Sequence, residues 1–365
     1  MIAAWLLLSG FVVQSQPAAQ AAEFSRRAML ENIAEHIILP LHDFLQTTDA
    51  LRMAADTFQT SPTPEDLESL QDAWRATALL WYKVTLFPFG RVTFVYHSRI
   101  ANDLPIATQI IEQFINGTDT LDADALAVFG SNVVGLRTVE YLIFDPDGGN
   151  DAVMEKYTSD PSAARRAQYL TLTVDDLYAT VAEILAVWSP DGSNYGDEFV
   201  NADDPNSVQG SISMLANRMM GALEGTVNMS IGWPLGTLSG MVQPEIVESR
   251  YSGYTIPEIT SLFEVLRDTF NGTSAEGDGL GFDDYLDYLG ATYNDISLSE
   301  AINQQFDTLL ADLDVIREPL GLALVNNVDE VQRVYDDGRA LVVLMKTDMT
   351  SRLGITITFN DSDGD

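Results

Sequence analysis

An all-α fold built from two helical bundles in tandem is the architecture this sequence predicts, on three observations. Apolar residues recur at three- and four-residue spacing through most of the chain, as one buried helical face requires. Strand-type alternation is confined to Gly354–Phe359 near the C-terminus. The chain has 365 residues, and a length above about 250–300 residues favours two hydrophobic cores over one.

Taken in order, Ile2–Val13 is an apolar run too short to span a bilayer, which takes about 20 residues. Ala19-Gln20-Ala21 then fits a small-x-small cleavage site. The prediction is a signal peptide, residues 1–21, although no Lys or Arg precedes the apolar run. Glu23–Phe58 reads as a helix with Met29, Leu30, Ile33, Ile37, Leu41, Phe44 and Leu45 at helical spacing, kinked at Pro40. Thr63-Pro64-Glu65-Asp66 is a start signal, with a capping hydroxyl, a proline at the first position and acids in the first turn. Its helix runs to about Leu86. Further helices are expected over Ile100–Ile115, Asp122–Phe144 and from Asp160-Pro161 to Trp188.

The polar passage 189–206 is rich in turn formers and marks the boundary. The predicted organisation is an N-terminal bundle over 22–190, a linker over 191–206 and a C-terminal bundle over 207–365. The second bundle opens with a helix at Ser207–Met229, broken by Gly232-Trp233-Pro234-Leu235-Gly236. Thr255/Glu258 and Ser297/Glu300 both match a capping box, opening helices at about 257–270 and 298–315. Others cover about 281–290 and 328–352. The segment Phe114–Thr118 is echoed by Thr269–Thr273, each with Asn-Gly where a C-cap belongs, by duplication or by coincidence.

Composition narrows the chemistry. There are 54 acidic and 19 basic side chains, a formal charge of -35, three histidines and no cysteine. That balance argues against nucleic-acid binding, which needs clustered cations. Without cysteine there is no disulfide, thiolate metal site or cysteine nucleophile. His36 and His42 are off the helical register for a shared metal, and His97 stands alone. Acid-rich loops at Asp145/Asp147/Asp151, Asp203/Asp204, Asp283/Asp284/Asp287 and Asp361/Asp363/Asp365 read as solvated surface, with calcium as the alternative.

The sharpest local feature is Gly135-Leu136-Arg137-Thr138-Val139-Glu140-Tyr141-Leu142-Ile143-Phe144. Arg137 and Glu140 lie three apart on one face of an apolar helix. They form either an intrahelical ion pair or the charged wall of a pocket between bundles. The segment resembles the imelysin-like signature, Gly-x-His-x-x-Glu followed by Tyr-Leu-(Leu/Ile)-Phe, with Arg137 in place of the histidine. Ile38-Leu39-Pro40, Ala73-Trp74 with Trp81, Phe89-Gly90, Glu248–Gly253 and the tail from Leu353-Gly354 to Asp365 are similar to the same family. That family was first described as an insulin-cleaving metallopeptidase. The resemblance implies an extracytoplasmic, all-helical protein with a site at the junction of two bundles, and a link to bacterial iron uptake.

Arg137 alters what the resemblance implies about chemistry. A guanidinium only donates hydrogen bonds and cannot ligate a metal, and no HExxH is present. The expected function is that of a non-catalytic, periplasmic binding component. Its expected ligand site comprises Arg137, Glu140, Gly135, Trp74, Arg250 and Ser252, and takes a small anionic or peptide ligand with Arg137 or Arg250 as anion donor. Iron-uptake components of the envelope are the alternative partners. No cofactor is expected. The competing reading is a metal-dependent peptidase or metal-binding protein with Glu140 as a ligand to iron, zinc or calcium.

Overall fold

A computed structural model describes residues 24–89, 99–100, 106–127, 130–275 and 277–358. The signal peptide, Gly90, His97 and the acidic tail from Phe359 lie outside the described residues. Within them the fold is all-α, apart from two small antiparallel hairpins. No described helix is long and apolar enough to cross a membrane.

Helix α1 (Arg26–Thr60) starts where Ser25 accepts from the Ala28 N–H and runs through Pro40 without interruption. Its buried positions, from Met29 through Ile33, Ile37, Leu41, Phe44, Leu51 and Ala55 to Phe58, keep the predicted spacing. Thr63 caps α2 (Pro64–Val84) by accepting from the Asp66 N–H at 3.1 Å. Short helices α3 (Thr108–Asn116) and α4 (Ala123–Ala127) lead to α5 (Gly135–Ile143) and α6 (Gly149–Thr158). The long helix α7 (Ala163–Trp188) closes the first bundle, in which α1 packs on α2 and α7, and α5 lies between α2 and α7. The single helix expected over Asp122–Phe144 is divided. Val134 is extended and Gly135 has φ 80°, a left-handed conformation that glycine adopts without a side-chain clash.

The expected linker 191–206 is not bare chain. It contains α8 (Tyr195–Asn201), whose Tyr195, Phe199 and Val200 are buried. Phe199 stacks on Phe89 at 5.4 Å and α8 packs on α1. Turn formers at both ends hid three apolar residues between them.

The second bundle comprises α9 (Ser211–Gly225), α10 (Thr255–Asn271), α12 (Leu298–Val315) and α14 (Val328–Val342), with α11 (Phe282–Tyr288) and α13 (Leu320–Asn326) as short additions. Two helices continue through π-helical turns: α9 across Thr226–Gly232 to Leu235, and α14 across Val343–Met349 to Leu353. Of the expected break Gly232-Trp233-Pro234-Leu235-Gly236, only the last residue stops the helix, Gly236 at φ 95°. Ser297 caps α12 as predicted, accepting from the Glu300 N–H. Gly272 ends α10 at φ 65°, whereas Gly117 after α3 has φ -82°, so the two Asn-Gly stops differ in geometry. Gly354–Thr358 forms no strand; Ile355 and Ile357 rest against the core, and Asn217 holds the Thr356 and Thr358 backbone.

The bundles meet where α2 packs on α10, and the Ser261 hydroxyl donates to the Leu79 carbonyl across that contact. The N-terminus of α1 adds a second tie. Arg26 pairs with Asp203 at 2.7 Å, and Asn32 donates to the carbonyls of Gly272 and Leu280.

Candidate functional site

Helix α5 is apolar around most of its circumference, and Tyr141 is its one residue that is not buried. A helix of that kind belongs inside a core, so its two charged residues go in with it. Its carbonyls are held by neighbours. Trp74 Nε1 donates to Leu136 at 2.9 Å, Tyr157 to Leu142 at 3.1 Å and Gln71 Nε2 to Ile143 at 2.8 Å. Trp74 therefore fixes α5 from behind, fully buried and edge-on to Phe144, and does not line the site as expected. Gly135 likewise sets the helix start and lies outside the cavity lining.

Arg137 points from α5 into a ring of acceptors supplied mostly by the second bundle. Nη1 donates to the Ser249 hydroxyl and to Glu258 Oε1 at 2.8 Å. Nη2 donates to the Tyr82 hydroxyl at 2.8 Å and lies 3.4 Å from Glu248 Oε2. The Tyr82 hydroxyl donates to Glu248 Oε2 at 2.7 Å, Ser230 donates to Glu248 Oε1 at 2.7 Å, and Ser249 donates to Glu258 Oε2 at 2.6 Å. The i,i+3 partner Glu140 is the most distant of the three carboxylates, at 3.8 Å. Arg137 is therefore a clasp between the bundles, to which the predicted intrahelical pair is secondary.

Glu140 is 1 % exposed and has its own receptor. Its Oε1 accepts from the backbone N–H of Tyr251 at 3.1 Å, and from the N–H and hydroxyl of Ser252 at 2.8 Å each. Ser252 thus holds Glu140, on a loop that Gly253 turns at φ 69°. Burial pushes the Glu140 carboxyl up to about 7, although Arg137 opposes the shift. Burial also raises the Glu258 carboxyl, again against Arg137, and raises Tyr82 far above the ordinary phenol range. Arg137 loses by burial but gains more from Glu258, Tyr82 and the other carboxylates, so it stays charged.

Over this clasp opens a cavity of about 570 Å³, walled by Arg137, Glu140, Glu248, Tyr251, Met229 and Trp233. Met229 and Trp233 come from the π-helical end of α9, where the widened turn places Ser230 on Glu248 and leaves Trp233 at the mouth. Arg250 is exposed at the rim, donates to the Glu245 carbonyl at 3.2 Å and lies over the Tyr251 ring at 4.9 Å. Of the predicted residues, Arg137, Glu140, Arg250 and Ser252 are brought together, while Gly135 and Trp74 support them.

Sequence reasoning missed Tyr82, Ser230, Glu248 and Glu258 as site residues. Glu258 was assigned to a capping box with Thr255. Instead, Thr255 accepts from the Ser249 N–H, and the Glu258 side chain turns to Arg137. A glutamate in a helix's first turn reads as a cap, and only the tertiary approach of Arg137 redirects it. Glu248 and Ser249 belong to the family-like stretch Glu248–Gly253, which marks the segment without showing that they face Arg137.

A divalent metal does not fit this donor set. The space among Glu140, Glu248 and Glu258 holds a fixed guanidinium, and among the described residues no group of three or more histidine, aspartate or glutamate side chains is arranged to hold an ion. Several acids of the loops have structural roles. Asp145 pairs with Lys156 and accepts the Asp147 and Gly148 N–H groups, Asp284 caps α11, and Asp287 accepts from Ser299. His36 is half-buried beside Glu35 and Asp278, and His42 is exposed.

A similar structure, described as an iron-regulated protein A precursor from Parabacteroides distasonis, has a TM-score of 0.72 at 18% identity, covering 92% of this chain and 98% of that one. An imelysin-like protein from Psychrobacter arcticum gives 0.69 at 19% identity, covering 93% and 100%. In sequence, iron-regulated protein A of Synechococcus elongatus is 21% identical over 298 residues, 80% of this chain and 76% of that protein. The family model described as Imelysin matches residues 34–344, which take in both bundles and every residue of the Arg137 clasp. The chain belongs to the imelysin family.

Proposed function

We propose that this chain is a non-catalytic, periplasmic binding component of the imelysin family that serves iron uptake and is exported by cleavage near Ala21. The observation that carries the non-catalytic reading is the commitment of Arg137. Its terminal nitrogens bind Ser249, Glu258, Tyr82 and Glu248 at the floor of the cavity, so a fixed cation occupies the place a Lewis acid would need. A guanidinium neither activates water nor ligates metal. The open cavity of about 570 Å³ is in the size range of small-ligand sites. The link to iron is supported by the names of the relatives.

Metal analysis of protein purified from the periplasm tests the reading, together with peptide hydrolysis assayed with and without chelator. The expected result is no stoichiometric iron or zinc and no hydrolysis. Stoichiometric metal that disappears in Glu140→Ala, or chelator-sensitive hydrolysis, would establish the metalloenzyme reading instead.

A further inference from the structure

We propose that the cavity between the bundles takes an organic cation, an ammonium or guanidinium group carried on an apolar or aromatic body. The proposal rests on the binding reading above and replaces the anionic ligand expected from the Arg137–Glu140 motif.

Arg137 is not available to an incoming anion. Both terminal nitrogens already donate within the chain, and each bond leads to a carboxylate directly or through a hydroxyl. An anion would have to displace Glu248 or Glu258 while meeting Glu140. Glu140, Glu245 and Glu248 line the cavity, and Glu258 lies directly behind Arg137. Once Glu140 ionises, above about pH 7, these carboxylates outnumber the cations Arg137 and Arg250. The surplus is negative, in a chain whose formal charge is -35, and a cleft lined by one sign of charge concentrates the opposite sign.

The walls fit the same occupant. Glu248 keeps a side chain 22% exposed, and its Oε1 accepts only from Ser230 among the described residues. A carboxylate oxygen has a second lone pair, which can face the cavity. Trp233 and Met229, 40% and 41% exposed, offer an indole face and a polarisable thioether, the surfaces that accommodate organic cations. The rim already shows the pairing in miniature, since the Arg250 guanidinium lies on the Tyr251 ring. An inorganic ion lacks a comparable donor set here; an organic cation needs one carboxylate and an aromatic wall.

Isothermal titration with three near-isosteric indoles tests this: tryptamine (cation), tryptophol (neutral) and indole-3-acetate (anion). A capped Leu-Lys-Leu peptide and its Nε-acetylated form distinguish a peptide side chain from a free amine as the source. Tryptamine is expected to bind at least about tenfold more tightly than indole-3-acetate, roughly 1.4 kcal/mol. If the source is a peptide, acetylation of its lysine removes a similar factor. Glu245→Gln and Trp233→Ala, both at exposed positions that leave the clasp intact, should each weaken tryptamine severalfold. Tighter binding of indole-3-acetate, no binding of any probe, or an unchanged Kd in both variants would overturn the proposal. Hydrolysis of the peptide would overturn the non-catalytic reading and leave the charge preference standing.

Discussion

Arg137→Met is the sharpest perturbation of the clasp. It keeps an unbranched apolar side chain of similar reach and removes the positive charge from among Glu140, Glu248 and Glu258. Two of those carboxylates have side chains only 1% exposed. Breaking a buried ion pair by removing one partner costs about 3–5 kcal/mol, because the remaining charge is left uncompensated. Part of the network survives, since Ser249 still donates to Glu258 and Tyr82 to Glu248. The expected loss at pH 8 is therefore about 3 kcal/mol, the lower end of that range. At pH 5 the stranded carboxyls, already raised by burial, take up protons and the cost shrinks, at about 1.4 kcal/mol per pH unit for each titrating group. Urea unfolding followed by tryptophan fluorescence at both pH values reads the difference, with an unchanged m-value required for the comparison. A loss under about 1 kcal/mol at pH 8, or the same loss at pH 5 and pH 8, would refute the idea that Arg137 is committed to these carboxylates.

Other consequences are open to measurement. The Glu140 carboxyl is raised from 4.5 to about 7 in the folded chain, so the folded state binds its proton more tightly than the unfolded state does. Its contribution is fully present below pH 4.5 and is lost as pH rises to about 7, some ~3 kcal/mol in all. Glu140→Gln should flatten Tm against pH across that window, and an unaltered slope would contradict the assignment. Arg137→His removes the fixed cation and sets an imidazole beside three carboxylates, so calorimetry should find cobalt or zinc affinity that the wild type lacks; equal affinity in both would show that the guanidinium does not exclude metal. Trp74→Phe preserves most of the packing but removes the indole hydrogen bond to the Leu136 carbonyl, at about 0.5–1.5 kcal/mol. A calorimetric change within error would mean that α5 is held without that bond.

Much of the fold was legible because it is written locally. The α1 stripe from Met29 to Phe58 and the caps at Thr63 and Ser297 depend on residues within a turn or two, and the structure reproduces them. The departures arise where long-range contacts override local signals. Gly135 starts a separate helix, whose carbonyls are held by Trp74 and Gln71 of α2 and Tyr157 of α6. Helix α8 exists because Phe199 finds Phe89 and Trp188. Helix α9 passes through Gly232 and Pro234 on π-helical turns, and those turns deliver Ser230, Met229 and Trp233 to the cavity.

Residue identity alone was enough to establish that the chain is helical, that it resembles imelysins and that Arg137 stands where their signature has a histidine. Backbone propensity, hydrophobic spacing and the acid–base character of a side chain are properties of the residue and its near neighbours. Which charges meet is another matter. Tyr82, Glu248, Ser249 and Glu258 come from positions 55 to 121 residues away from Arg137, and nothing in their own windows marks them as partners. Only the packing of α2 beside α5, and of α10 with the loop before it against α2, brings them within hydrogen-bond distance. That convergence makes a buried guanidinium an internal bridge and gives the cavity above it a surplus of negative charge.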